Sequence, residues 1–368
     1  VTRHLELCLD CRSCETACPS GVQYGRLIEP FRVAMEQQSS KAKNNDWFHR
    51  WILYPLFPYP RRMRAALAPA RWMQRLRLDR LVEKLGILDL LPSQLRHMYA
   101  MLPRLRTREA ALPALLKAKG TRRATVALFT GCVGDAIFHH TKWAKARVLR
   151  ENGCDVLIPK EQTCCGAIHY HSGAEQPAVE RAIKNAYAID PDAVDAVIVN
   201  VAGCGAMLKE YDHLHLPKEH EQRVTKFSRK VRDISEFLVE LGPIPPKGSM
   251  PVRATYHDAC HLCHAQQVRS QPRQLLEMIP GLKLIPLEES DICCGAAGTY
   301  NLTESDMAER LVARKVSHIR DTRPQAMFAA NAGCLLHISR RLRQEGLEIW
   351  SGHPIEALDR AYRGEPLF

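Results

Sequence analysis

Three cysteine stations recur along the C-terminal two-thirds of this chain, and their recurrence constrains the fold more than any other feature. Cys132, the pair Cys164-Cys165 and Cys204 reappear as Cys260, Cys293-Cys294 and Cys334, at offsets of 128, 129 and 130 residues. Each station follows an apolar run with strand character: residues 126–129, 154–158 and 196–200 in the first copy, and 254–257, 282–286 and 326–331 in the second. Helical stretches lie between these runs. A duplicated strand–helix alternation predicts an α/β chain with two tandem Rossmann-like domains, each a mostly parallel sheet covered on both faces. Ligands of such sheets gather at the carboxyl ends of the strands, where every station falls. The four cysteines of each copy are therefore expected to converge in one crevice. The linker Gly-Pro-Ile-Pro-Pro-Lys-Gly at 242–248 divides the copies.

Upstream of the repeats, Cys8, Cys11, Cys14 and Cys18, followed by Pro19, make a C-x2-C-x2-C-x3-C-P run. This is the spacing that wraps a cubane [4Fe–4S] cluster. A zinc knuckle would pair two distant C-x2-C halves, and a disulfide nest would suit a secreted chain. In two-cluster ferredoxins the fourth cysteine serves the other cube. Cys18 is accordingly expected to serve a second cluster whose own run lies upstream of Val1. The alternative is a single cluster closed by Cys18 or by a distant cysteine. The 14 cysteines fall largely in such groups, which suits metal ligation in a reducing compartment.

The predicted organisation is an α-helical, ferredoxin-like region over 1–46, a basic amphipathic linker over 47–121, and repeats over 122–241 and 249–368. A polar-ended helix is expected from Leu27 to Lys41. The net charge of +12 is concentrated in one place, with 17 Lys and Arg against 4 Asp and Glu between Arg50 and Arg123. That segment opens on an aromatic, proline-broken stretch at 47–60. It continues with Arg61, Arg62, Arg64, Arg71, Arg75, Arg77 and Arg80 interleaved with Leu67, Trp72, Met73, Leu76 and Leu78. The pattern predicts an arginine-rich amphipathic helix, facing either an anionic membrane surface or protein. No nucleic-acid motif accompanies the charge, and no uncharged apolar run reaches the 18 residues of a membrane span.

The candidate ligands are Cys132, Cys164, Cys165 and Cys204 in the first copy, with Met207 after them. In the second they are Cys260, Cys263, Cys293, Cys294 and Cys334, with His337 after them. These sets are expected to bind an iron–sulfur centre or zinc. His169 and His171 follow the first Cys-Cys-Gly and are candidates to hydrogen-bond a quinone or organic acid. His257, His261 and His264 surround Cys260 and Cys263 as ligands or outer donors. Cys154 opens a strand and reads as core. No G-x-G-x-x-G opens a helix, so no flavin is expected on this chain.

With these residues in place, the chain resembles the iron–sulfur subunits of bacterial glycolate oxidase. The resemblance runs nearly end to end. It rests on the run from Cys8 to Pro19 continuing to Arg26, on Thr130-Gly131-Cys132, and on Cys164-Cys165-Gly166-Ala167-Ile168-His169-Tyr170-His171. It also includes residues 293–300, Asn331-Ala332-Gly333-Cys334 and His353-Pro354-Ile355-Glu356. The repeats are similar to the "CCG" cysteine-rich domains of heterodisulfide reductase, lactate-utilisation proteins and the anaerobic glycerol-3-phosphate dehydrogenase small subunit. The resemblance implies a partner FAD flavoprotein that oxidises a 2-hydroxy acid, normally glycolate. Electrons would pass through clusters to membrane quinone, at the cytoplasmic face of the plasma membrane. It also implies two cubane motifs near the N-terminus, of which this chain shows one. A thiol or disulfide reductase is the competing expectation. The C-x2-C ending of heterodisulfide reductase is replaced here by Cys204-Gly205-Ala206-Met207 and Cys334-Leu335-Leu336-His337, so that protein's non-cubane cluster is not carried over.

Overall fold

The computed structural model describes residues 2–38, 47–105 and 109–368. The first sheet contains β1 (Leu115–Leu116), β2 (Ala124–Leu128), β3 (Cys154–Leu157), β4 (Ala196–Val199) and β5 (Val231–Asp233), in the order β1-β3-β2-β4-β5. All neighbours are parallel except β1, which runs antiparallel to β3. The second sheet contains β6 (Arg253–His257), β7 (Lys283–Ile285), β8 (Ala326–Ala329) and β9 (Trp350–Gly352), in the order β7-β6-β8-β9, all parallel. Central strands such as Ala-Val-Ile-Val in β4 are buried at every position, as a sheet covered on both faces requires. The two tandem parallel-sheet repeats are therefore present as expected. Each also has a fourth parallel strand, β5 and β9, that the three-strand reading lacks.

The repeats exchange helices. The His139–Glu151 helix, which follows β2, packs against the Pro354–Arg363 helix that ends the second repeat. Reciprocally, the Ile234–Leu241 helix that ends the first repeat packs on the Gln271–Glu277 helix that follows β6. Leu149, Phe237, Leu238, Leu275, Leu276 and Leu358 belong to one core that spans both repeats. Polar bonds fix the same seam. Arg147 makes a two-pronged pair with Asp359 at 2.8 and 2.7 Å, and Thr141 donates to Glu356 at 2.7 Å. Both terminal helices start with capping boxes, Asp233 with Glu236 and His353 with Glu356, which satisfy the first free amides.

The basic segment is not one helix. It breaks into Pro60–Ala66, Ala68–Arg75 and Leu78–Lys84, a 3-10 turn at Ile87–Leu90, and Ser93–Met101. The left-handed backbone of Arg77, φ +57°, makes one of the breaks. Its aromatic start is anchored, with Phe48 and Leu53 packed with Leu302 of the second repeat and against Ile168 of the first. Met63 is also buried, but further along several apolar side chains are bare: Trp72 is 62% exposed, Leu76 59% and Leu85 63%. The side chain of Arg80 lies outside the described residues. Among the described residues, no helix is long and apolar enough to cross a membrane.

The N-terminal region lies in the cleft between the repeats. Its main helix runs Gly25–Gln38, and residues 39–41 of the expected helix lie outside the described residues. Tyr300 donates to the Leu7 carbonyl at 3.2 Å, Thr16 meets His264 at 2.9 Å, and Arg269 donates to Thr16 at 2.9 Å. On the other side, Gly173, at φ +85°, lies so close to the Arg32 carbonyl that a Cβ would come within 2.6 Å of it.

Candidate metal centres

Cys8 and Cys11 lie in one short loop, and Cys14 stands in the Ser13–Ala17 helical turn that follows it. Burial pushes the Cys11 thiol up to about 11, with Cys260, Cys8 and Cys14 adding to the rise. Burial, then Glu15 and Cys8, raise Cys14. The Asp10 amide donates to the Cys8 sulfur at 3.4 Å. Cys18 has a different environment: the amides of Val22, Ser20 and Gly21 point at its sulfur and lower its pKa. Three mutually close thiols with amide donors suit the thiolate donor set of an iron–sulfur cluster. Cys18 is set apart from that trio by its own amide turn.

In the first repeat the four cysteines do converge. Cys132 donates to Cys164 across 3.4 Å. Hydrogen bonds from Cys132 and Cys165 hold Cys164 well below the usual thiol range, with the Gly166 amide at 3.5 Å adding to them. Cys132 is pushed up by its bond to Cys164, and Cys165 by its bonds to Cys164 and Cys204. The loop is pinned from beneath: Asn185 donates to the Cys164 carbonyl at 3.1 Å and Tyr211 to that of Cys165 at 2.8 Å. Gly166, at φ +90°, closes against Ala178, whose Cα would lie 3.2 Å from a Cβ. Met207 is buried in the same core.

The second repeat repeats the arrangement. Cys260 lies 4.0 Å from Cys293, and the bond chain continues through Cys294 to Cys334. Donation to Cys293 and burial push Cys260 up. Gly295, at φ +87°, matches Gly166, and a Cβ there would lie 2.9 Å from the Ala308 carbonyl oxygen. Cys263 stands beside this chain, with its thiol directed at the Cys260 carbonyl at 3.7 Å. His337 meets the Ala308 carbonyl at 3.3 Å, and His261 lies 3.6 Å from the Cys260 sulfur. Each set is a row of thiols sharing protons, all buried except the half-buried Cys204. A thiophilic metal that displaced those protons to solvent would convert it to a set of thiolate ligands. Cys154 is fully buried in the core of the interlocked sheets, as its strand position implies.

The two histidines after the first Cys-Cys-Gly have separate surroundings. His169 is buried and stacked on Tyr54, with centroids 4.8 Å apart. Burial, then Arg181, lower its pKa to about 4, so it is neutral. His171 belongs to a charged node that the sequence did not reveal. Arg12 sits at its centre, pairing with Asp10 at 2.9 Å, Glu15 at 3.1 Å, Glu29 at 3.2 Å and Glu210 at 3.5 Å. His171 lies 3.0 Å from Glu29 and 3.5 Å from Asp10, and its ring meets that of His261 edge-on at 5.6 Å. Burial works against the charged imidazole, but the bond to Glu29 and the charges of Glu29 and Asp10 raise the His171 pKa. Burial also raises Glu210 to about 7, against the pull of Arg12. The node joins the cysteine loop, the Gly25–Gln38 helix and the first repeat. Its members lie up to 200 residues apart and are ordinary charges in the sequence. The one local sign is an arginine inside the cysteine run.

The family model for a cysteine-rich domain matches residues 126–209 and 254–339. The model for the linker region of the glycolate oxidase iron–sulfur subunit matches 44–102. The chain is 39% identical over 352 residues to the probable glycolate oxidase iron–sulfur subunit of Bacillus subtilis, covering 94% of this chain and 79% of that protein. It is 30% identical over 346 residues to the glycolate oxidase iron–sulfur subunit of Escherichia coli, covering 91% and 78%. Lactate utilization protein A of Geobacillus kaustophilus is 35% identical over 236 residues, covering 64% of this chain and 98% of that protein. With two cysteine-rich repeats, the matching linker and relatives that align along nearly its whole length, the chain belongs to the family of glycolate oxidase iron–sulfur subunits.

Proposed function

We propose that this chain carries electrons from a separate FAD flavoprotein that oxidises a 2-hydroxy acid, glycolate first among them, towards a quinone at the cytoplasmic face of an anionic membrane. The observation that carries the reading is the seating of the cluster loop between the repeats. Cys11 lies near enough to Cys260 to feel its charge, and Thr16 bonds His264 four residues beyond Cys260. Short separations of this kind suit electron relay. Cys8, Cys11 and Cys14 would hold one [4Fe–4S] cluster and Cys18 would serve a second. The sets Cys132, Cys164, Cys165, Cys204 and Cys260, Cys293, Cys294, Cys334, with Cys263 alongside, would hold iron–sulfur or zinc. Iron–sulfur clusters, when bound, supply one-electron transfer.

The protein's own residues have supporting tasks. Arg12 brings positive charge to the cluster loop. Quinone reduction consumes protons, and Glu210 and His171, whose pKa values are both raised in the node, can store and release them. His169 and His171 remain the candidate contacts for that acceptor. Trp72, Leu76, Leu81, Leu85 and Leu90 present apolar surface beside exposed Arg75 and Arg77, the composition of an interfacial anchor. The burial of Cys132, Cys164, Cys165, Cys260, Cys293 and Cys294 argues against direct reaction with an external disulfide, because reactive thiols are partly exposed.

The test is anaerobic purification of the whole chain, quantification of iron, sulfide and zinc, and EPR after reduction by dithionite and by the flavoprotein with glycolate. Iron–sulfur signals that appear with glycolate and diminish in Cys11→Ser support the reading. Absence of iron and sulfide, or clusters that the flavoprotein never reduces, refutes it.

A further inference from the structure

One buried difference between the two cysteine sets lies just before their first cysteine. Three residues before Cys132 stands Phe129, and three before Cys260 stands His257; both are buried. The Nδ1 of His257 lies 3.0 Å from the Ser290 carbonyl oxygen. A carbonyl only accepts, so Nδ1 carries the ring proton and Nε2 presents a lone pair. That Nε2 is buried without a hydrogen-bond partner. A ring nitrogen of His257 and the sulfurs of Cys294 and Cys334 all lie within 4.8 Å of one another. With Nδ1 committed to Ser290, the nitrogen on offer is Nε2.

Orphaned buried nitrogens are rare because they cost free energy. An imidazole that donates through one nitrogen to a backbone carbonyl and turns the other towards two thiols has the arrangement of a metal-ligating histidine. Cys334 is also oriented, by a bond from Asn331 at 3.4 Å; the corresponding residue of the first copy is Val201.

We propose that His257 is a direct nitrogen ligand beside the thiolates of Cys294 and Cys334, making the second centre a mixed imidazole–thiolate site. The first centre, with Phe129 at the same place, is ligated through sulfur. The inference rests on the reading that the second copy holds metal. The metal is thiophilic, either an iron of a cluster or zinc, and both accept this donor set. If it is iron, exchange of thiolate for neutral imidazole raises the reduction potential, as histidine does in Rieske centres. The two repeats would then differ in potential while sharing one architecture.

The test uses the full chain, purified anaerobically with its native metals and labelled with 15N-histidine. X-ray absorption at the zinc and iron edges and pulsed EPR of the reduced protein read nitrogen ligation without any assay of activity. The expected result is imidazole scattering at the zinc edge, or a histidine nitrogen coupling that changes with the label. Either signal is lost in His257→Phe, which installs the first copy's residue, and persists in His261→Phe, which removes the imidazole beside Cys260. Metal that depends on Cys294 and Cys334 but shows no histidine nitrogen overturns the inference and leaves the second centre standing. Absence of metal from that set in the unmodified chain overturns both. The labelled parent protein gives the deciding signal even if a variant fails to fold.

Discussion

Gly25→Ala should destabilise the N-terminal region, although it places the best helix former at the start of a helix. On propensity alone the exchange gains about 1 kcal/mol at most. Here a Cβ would lie 1.4 Å from Arg12 Nη1 and 1.6 Å from its Cζ. The guanidinium cannot step aside cheaply. It is 3% exposed and held by Asp10 and Glu29, themselves 4% and 6% exposed, as well as by Glu15 and Glu210. Removing one partner from a buried charge pair costs about 3–5 kcal/mol. Subtracting the propensity gain leaves a net loss of about 2–4 kcal/mol. Amide hydrogen exchange in the Gly25–Gln38 helix resolves this local opening. Exchange should accelerate by about 30- to 700-fold, taking 1.4 kcal/mol per tenfold. In an Arg12→Ala background the same Gly25→Ala change should cost nothing, because the obstructing group has gone. The reasoning fails if Gly25→Ala leaves exchange unchanged or slower, or if the two single costs simply add in the double variant.

Glu210→Gln should stabilise the protein in alkaline buffer and leave it unchanged in acid. Its folded pKa of about 7 lies above the ordinary 4.5, so the fold disfavours the ionised form, and the cost grows as pH rises from 4.5 through 7. At pH 8 the gain approaches about 3 kcal/mol, read by denaturant titration at pH 4.5 and 8; equal gains at both would refute the assignment. His171→Gln has a related signature. A raised histidine pKa stabilises fully below 6.5 and loses that contribution as pH rises through the folded value. The variant should therefore be weakened at pH 6 more than above the folded pKa, and a loss that is independent of pH would count against the Glu29 pairing. Trp72, Leu76 and Leu85 changed together to Ser should lower co-sedimentation with vesicles containing anionic phospholipid by at least tenfold. Undiminished sedimentation would reassign that surface to a protein partner. Arg75 and Arg77, changed to Glu, test the charge half of the same surface better than Arg64, which is tied to Asp135. Cys154→Ala should keep all bound metal while costing stability, and loss of metal would contradict its core placement.

The sequence carried the repeats because cysteines are sparse and their stations stay in register over more than a hundred residues. β2, β4, β6 and β8 were readable as short apolar runs before those stations. β5 and β9 were not, because Val-Arg-Asp and Trp-Ser-Gly have no periodicity; they are strands only through pairing with β4 and β8. The basic segment showed its composition but not its breaks, which depend on single backbone conformations such as that of Arg77. The candidate cysteines followed from topology, since strand ends point to one crevice. The charged node did not, because Arg12, Glu29, His171 and Glu210 meet only through the docking of three separate pieces. His257 stood in the motif from the start. Its distinction from His261 and His264 needed the Ser290 carbonyl, which the chain brings from 33 residues away.

The exchange of helices between the repeats has the form of an isologous contact: the first repeat's end helix covers the second, and the second's covers the first. Two identical, separate chains would meet through a two-fold axis in just this way, and each alone would leave an apolar helix face bare. Joining them in one polypeptide keeps the interface and removes the symmetry requirement. In a dimer of identical subunits, any residue placed beside one thiol set is also placed beside the other. In the joined chain Phe129 and His257, or Val201 and Asn331, can diverge while the surrounding scaffold holds both thiol sets at a constant separation.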